Sequence, residues 1–185
     1  MPLSGPAWVS QFPTSRSIDD LVDPFRENVR QFVAALRESG ASVTIADTRR
    51  PPERAYLMHF SFAIAKEAAD PALVPAMAGV DIQWVHPDSP GTPGANASKD
   101  AAEKMVQRYG IAFRPALKTL HTQGNAIDMS IAWTGNLVIA RADGTQVTIT
   151  APPRSGDNAA LHAVGLSYGV IKLVTDPPHW SVNGH

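Results

Sequence analysis

Cysteine is missing from all 185 residues. Its absence removes thiolate chemistry, disulfides and every Cys-ligated zinc site, so any metal must be held by His, Asp or Glu. No run of about 18 apolar residues occurs, which argues against a membrane-spanning helix. The opening MPLSGPAWVSQF lacks the basic residues and apolar core of a signal peptide, and predicts synthesis in the cytoplasm. An excess of charge of one sign is also lacking. The formal net charge is -1 and only 18% of residues are charged, so no basic field points to nucleic acid. What is present, 44% hydrophobic residues in a chain of this length, suffices for one domain with a real core.

The hydrophobic pattern predicts helices first and strands later. Within residues 17–39, Val22, Phe25, Val29, Phe32, Val33 and Leu36 recur at helical steps. Asp23 is a candidate N-cap and Pro24 fits the first turn. ASVTIAD (41–47) alternates as a strand. Pro51 and Pro52 open a largely buried helix that runs to Ala69 and stops before Pro71. DIQWV reads as a short strand, VHPDSPGTPGANAS as a surface loop, and KDAAEKMVQRYGI as an amphipathic helix. NAIDMSIAW and LVIARADGTQVTI alternate as strands, the second with a hairpin turn at Asp143-Gly144. A short helix and the strand VIKLV follow. The expected class is α+β, one domain over 1–185 with a central antiparallel sheet and N-terminal helices.

Inside that alternation, LHTQGNAIDMSI (120–131) carries His121 at a turn and Asp128 among apolar neighbours. A carboxylate in such a strand is explained by a metal or by an ordinary solvated acid. Asp128 shares a strand face with Ala126, which leaves room beside an ion. A third ligand should come from another element, and His179 in TDPPH is the best candidate. Two prolines favour a polyproline-like backbone with a three-residue period, which turns Asp176 and His179 to one side. His179 then holds a metal while Asp176 takes a proton from water. His59 is expected to pack in its helix, His86 to line a cleft, and His185 to be terminal and mobile.

These residues carry a resemblance. TLHTQGNAID is similar to the Ser-x-His-x-x-Gly-x-Ala-x-Asp signature of the zinc D-alanyl-D-alanine carboxypeptidase family, which includes VanX-like and VanY-like enzymes and phage L-alanyl-D-glutamate endolysins. The wider fold group takes in lysostaphin-type peptidases and the hedgehog domain. His121, Gly124, Ala126 and Asp128 match, with Thr119 in place of Ser. DPPHW resembles the closing motif through Asp176, His179 and Trp180, with Asp where several members have Glu. DTRRPPERAYLMH stands where the family has an arginine on a strand-to-helix turn, and supplies Arg50 or Arg49, Arg50 being favoured. The resemblance covers about residues 41–180.

It implies a hedgehog-like fold and zinc held by His121, Asp128 and His179. It implies Asp176 as general base, an arginine clamp, and peptidoglycan stem peptides as substrate. Action would then lie in the periplasm or cell wall after release or delivery. Beside the metal, Thr119 is placed to bond near Asp128. Trp180 either walls the groove or packs with partial exposure, and Trp84 and His86 line the cleft from their loop. A monomer is the default. Whether the bond cleaved is internal or terminal stays open. The rivals are a zinc-containing wall-binding or phage structural protein without catalysis, and an iron enzyme, since two His and one carboxylate also suit iron.

Overall fold

Phe25, Val29, Phe32, Val33 and Leu36 are all buried, so one stripe of helix α1 (Phe25–Glu38) faces the core. The helix begins later than the apolar pattern suggests. Residues Ile18–Asp20 form a separate 3-10 turn whose Asp19 amide donates to the Ser17 hydroxyl. Pro24, not Asp23, occupies the N-cap of α1, and the Asp23 carboxylate pairs with Arg26. Proline restricts the residue before it to extended backbone, so the helix cannot grow back through 23–24. The computed structural model describes residues 1–87 and 97–185.

The described chain gathers into two compact units, residues 1–13 with 51–119 and residues 14–50 with 120–185. In the first, helix α2 (Pro52–Glu67) and helix α3 (Ala97–Tyr109) enclose Leu57, Ile64, Ala102 and Met105. Helix α2 starts at its tandem prolines and ends where Ala68 turns left-handed. The expected DIQWV strand is absent, because Gln83 makes only an isolated bridge to Leu3. Residues 88–96 of the expected surface loop lie outside the described residues. No helix among the described residues is long and apolar enough to cross a membrane.

The second unit holds all the strands among the described residues: β1 (Ser42–Asp47), β2 (Ala126–Ala132), β3 (Leu137–Ala140), β4 (Gln146–Ile149), β5 (Ile171–Lys172) and β6 (His179–Ser181), with helix α4 (Ala159–Ser167) between β4 and β5. An antiparallel four-stranded sheet runs β1-β2-β6-β5, and β3 with β4 forms the expected hairpin. The α+β class and antiparallel sheet are as expected. Strand β6 is not: three residues after two prolines give no alternation to read, yet it lies inside the sheet. Its Trp180 is wholly buried and packs 5.4 Å from Phe32. Helix α4 meets this ring through the edge of His162, 5.7 Å between centroids, and through Gly165, where an added Cβ would lie 2.7 Å from the indole.

Candidate metal centre

Three elements of the second unit deliver the candidate ligands. His121 sits on a turn closed by Gly124 N–H donating to the His121 carbonyl at 3.2 Å. Gly124 has φ +73°, and a Cβ there would press on Val22 at 3.2 Å, so glycine is needed on both counts. Two residues on, β2 begins, and its register places Asp128 opposite His179 of β6. Sheet pairing thus joins two ligands that are remote in sequence.

The donor atoms converge closely. Asp128 Oδ1 lies 3.0 Å from His179 Nδ1 and 3.3 Å from His121 Nε2, and the two ring nitrogens are 3.2 Å apart. These three residues form a group able to hold a metal ion. Both histidines are buried. His121 Nδ1 donates to the Thr48 carbonyl at 2.7 Å, and His179 Nε2 donates to the His185 backbone oxygen at 3.1 Å. A carbonyl only accepts, so in each neutral ring the inward nitrogen carries a lone pair. Two lone pairs and a carboxylate oxygen then face one point, an arrangement that asks for a cation. The spacing also fits: a tetrahedron with bonds of about 2.0–2.1 Å has edges of about 3.3 Å. Nitrogen donors of this kind suit zinc or iron better than calcium or magnesium.

Without a metal, protons must serve. Burial pushes the Asp128 carboxyl up, but hydrogen bonds and charge from His121 and His179 outweigh it and hold it well below the usual carboxylate range. Burial pulls His121 down, yet the hydrogen bond and charge of Asp128 and the Thr48 carbonyl raise it overall, against Arg50. Protonation of His121 therefore stabilises the metal-free fold below the ordinary imidazole range, and that stabilisation fades as pH rises through the folded value. Asp128 acts in the opposite sense and loses its contribution only in acid. A metal competes with the His121 proton. Zinc should accordingly raise the melting temperature more at pH 8 than at pH 6. Thermal melts with and without zinc check this, and an equal or reversed gain would count against His121 as a ligand.

The remaining expected residues separate. Arg50 is half-buried and Arg49 exposed. The Arg50 amide donates to the His121 carbonyl at 3.1 Å, and its buried Nε has no partner, so the structure sets Arg50 beside the cluster. Asp176 is exposed and outside the three-residue group. The polyproline expectation fails: Asp176-Pro177-Pro178-His179 is a turn, closed by His179 N–H donating to the Asp176 carbonyl at 3.0 Å. The fixed φ of tandem prolines suits a turn as well as an extended run. Trp180 is not partly exposed but wholly inside the core. Trp84 is likewise buried in the first unit, its indole N–H donating to Tyr56 Oη at 3.1 Å, so it packs instead of lining a cleft. His86 bonds Ser4 Oγ at 2.8 Å and lines a cavity of about 320 Å³ in that unit. Thr119 is half-buried in the first unit's last segment. His185 is tied down, its amide donating to Ser181 Oγ at 3.2 Å.

Sequence reasoning missed Lys172. Only 6% exposed, it points its ammonium at three backbone carbonyls, those of Leu173, Asp176 and His179, at 2.5, 2.6 and 3.3 Å. Burial pulls its pKa down, opposed by the charges of Asp157, Asp176 and Asp128. The signal was available: a lone lysine inside VIKLV poses the same question as Asp128 inside NAIDMSI.

Comparison with protein-family models and with curated protein sequences finds no match for this chain. Fold and site together define an α+β protein with a buried His-Asp-His cluster that can hold a metal.

Proposed function

We propose that the chain is a zinc-dependent hydrolase that cleaves a peptide bond in peptidoglycan stem peptides. The observation that carries the metal part is the convergence of two imidazole lone pairs and one carboxylate oxygen at tetrahedral-edge spacing. Support for the substrate comes from the resemblance of TLHTQGNAID and DPPHW to peptidase motifs.

Zinc bound by His121, Asp128 and His179 supplies Lewis acidity toward a carbonyl and lowers the pKa of a water. The chain's own groups do the rest. Asp176, exposed three residues before His179, takes the proton from the attacking water and returns it to the leaving amine. Arg50, with an unpartnered Nε beside His121, pairs with a substrate carboxylate or with the oxyanion of the tetrahedral intermediate. The Thr48 carbonyl and the His185 backbone oxygen fix the two imidazole tautomers, as outer partners of metal histidines do.

The test is mass spectrometry of muropeptides incubated with the protein, with and without chelator. The expected result is new peptide fragments that disappear with chelator and return with zinc. Their masses also decide between internal and terminal cleavage. Zinc bound at full occupancy with intact muropeptides would favour a binding module that has lost catalysis.

A further inference from the structure

The segment that carries both Asp176 and His179 is poor in its own hydrogen-bond donors. Pro177 and Pro178 have no N–H, so the loop between β5 and β6 offers more carbonyls than amides. Three of its bonds are internal: Asp176 N–H to Leu173 O, His179 N–H to Asp176 O, and Leu173 N–H to His179 O. The same three carbonyls, at the beginning, middle and end of the loop, also converge on Lys172 Nζ. An ammonium has three protons, and here it meets three acceptors. That match leaves no proton for a ligand, so this lysine is an anchor and not a nucleophile. Its charge is further accommodated by the Trp180 ring, with Nζ 5.7 Å from the centroid. A buried cation at one focus of a loop is costly to keep unless the loop closes round it.

We infer that Lys172 is a positioning residue of the metal centre: its ammonium sets the course of residues 173–179 and thereby places the His179 ring against Asp128 and His121, with Asp176 carried on the same turn. This rests on the metal reading above. Two neutral features agree with it. Lys172 faces Trp180 in the β5–β6 register, so its backbone is fixed by the sheet. Its side chain then reaches back over one residue of β6 to the ligand-bearing end.

Lys172→Met keeps the stem and its packing and removes all three donors. In the metal-free protein, the amides of Asp176 and His179 should exchange hydrogen faster than in the parent chain, while those of β3 and β4 stay unchanged. Zinc affinity should fall by about 10- to 100-fold, the range seen when an outer partner of a metal ligand is lost. The visible absorption of the cobalt-substituted protein should change in intensity, since it reports the geometry around the ion. Lys172→Arg, which keeps charge and donors, should recover most of the affinity. Ile149→Ala, a buried change in the hairpin of the same unit, should lower thermal stability and leave zinc affinity alone. Unchanged exchange at Asp176 and His179 in Lys172→Met overturns the clamp. Faster exchange with unchanged zinc affinity and cobalt spectrum overturns its positioning role. If Lys172→Met does not fold, Lys172→Arg with altered zinc affinity and cobalt spectrum at parental exchange rates overturns it equally. A parent chain that binds no zinc fails earlier, sinking the metal reading and this role with it.

Discussion

His121→Ala is expected to bring zinc content from about one ion per chain to near zero, because a zinc site of this type takes three protein ligands and two are too few to retain the ion. Metal analysis after dialysis reads it directly. The variant should still fold. His121 contributes hydrogen bonds to the Asp128 carboxylate and to the Thr48 carbonyl, whose loss costs about 1.5–3 kcal/mol for the charged partner and about 0.5–1.5 kcal/mol for the neutral one. Asp128 keeps His179 at 3.0 Å, so its carboxylate is not stranded. Asp128→Asn is the companion: it preserves shape while removing the anionic oxygen that both imidazoles face. Full zinc content in both variants would place any metal elsewhere. Zinc-induced stabilisation should vanish in parallel with zinc content, since an ion that binds only the folded state raises stability by mass action.

Asp176→Asn should retain zinc and lose about 10²- to 10⁴-fold in hydrolysis, the usual contribution of a general base. The structure makes this a clean substitution. The side chain is exposed, and such surface changes typically move stability by no more than about 0.5 kcal/mol. The features that hold the turn use the Asp176 backbone: its amide donates to Leu173, and its carbonyl accepts from His179 N–H and Lys172 Nζ. None of these is touched by replacing a carboxylate with an amide. Zinc lost together with activity would make Asp176 a ligand or a structural group. Hydrolysis at the parental rate would move the base to another residue.

Much of this was legible because it was local. The stripe on α1 and the alternation in β1 and β2 are periodic signals, and periodicity reports burial before any tertiary contact is known. His121 and Asp128 were legible for a related reason: a turn histidine and a carboxylate among Ile127, Met129 and Ile131 break the local pattern. Strand β6 was not legible. Three residues are too few to show alternation, and the preceding prolines read as extended chain when they form a turn. Trp180 shows the same limit, since its burial depends on a place in the sheet that only β2 and β5 assign. Lys172 lay between the two cases. A lone lysine inside VIKLV was a signal that went unread, and the carbonyls that satisfy it are brought together by a loop whose course no periodicity records. Arg50 and Arg49 differ by one position, and burial, an unpartnered Nε and the amide bond to His121 set Arg50 apart.

The late position of β6 has a consequence for biosynthesis. His179 follows Asp128 by 51 residues, which at about 5–20 residues per second means several seconds of translation. During that interval the nascent sheet has β2 as an edge, with its main-chain groups open to any passing strand. Nor is the cluster that could hold a metal complete by then, since one imidazole has still to be synthesised. Any metal capture by this cluster would thereby be confined to polypeptide that has been translated past residue 179, and the interval before it is when a chaperone would be of most use.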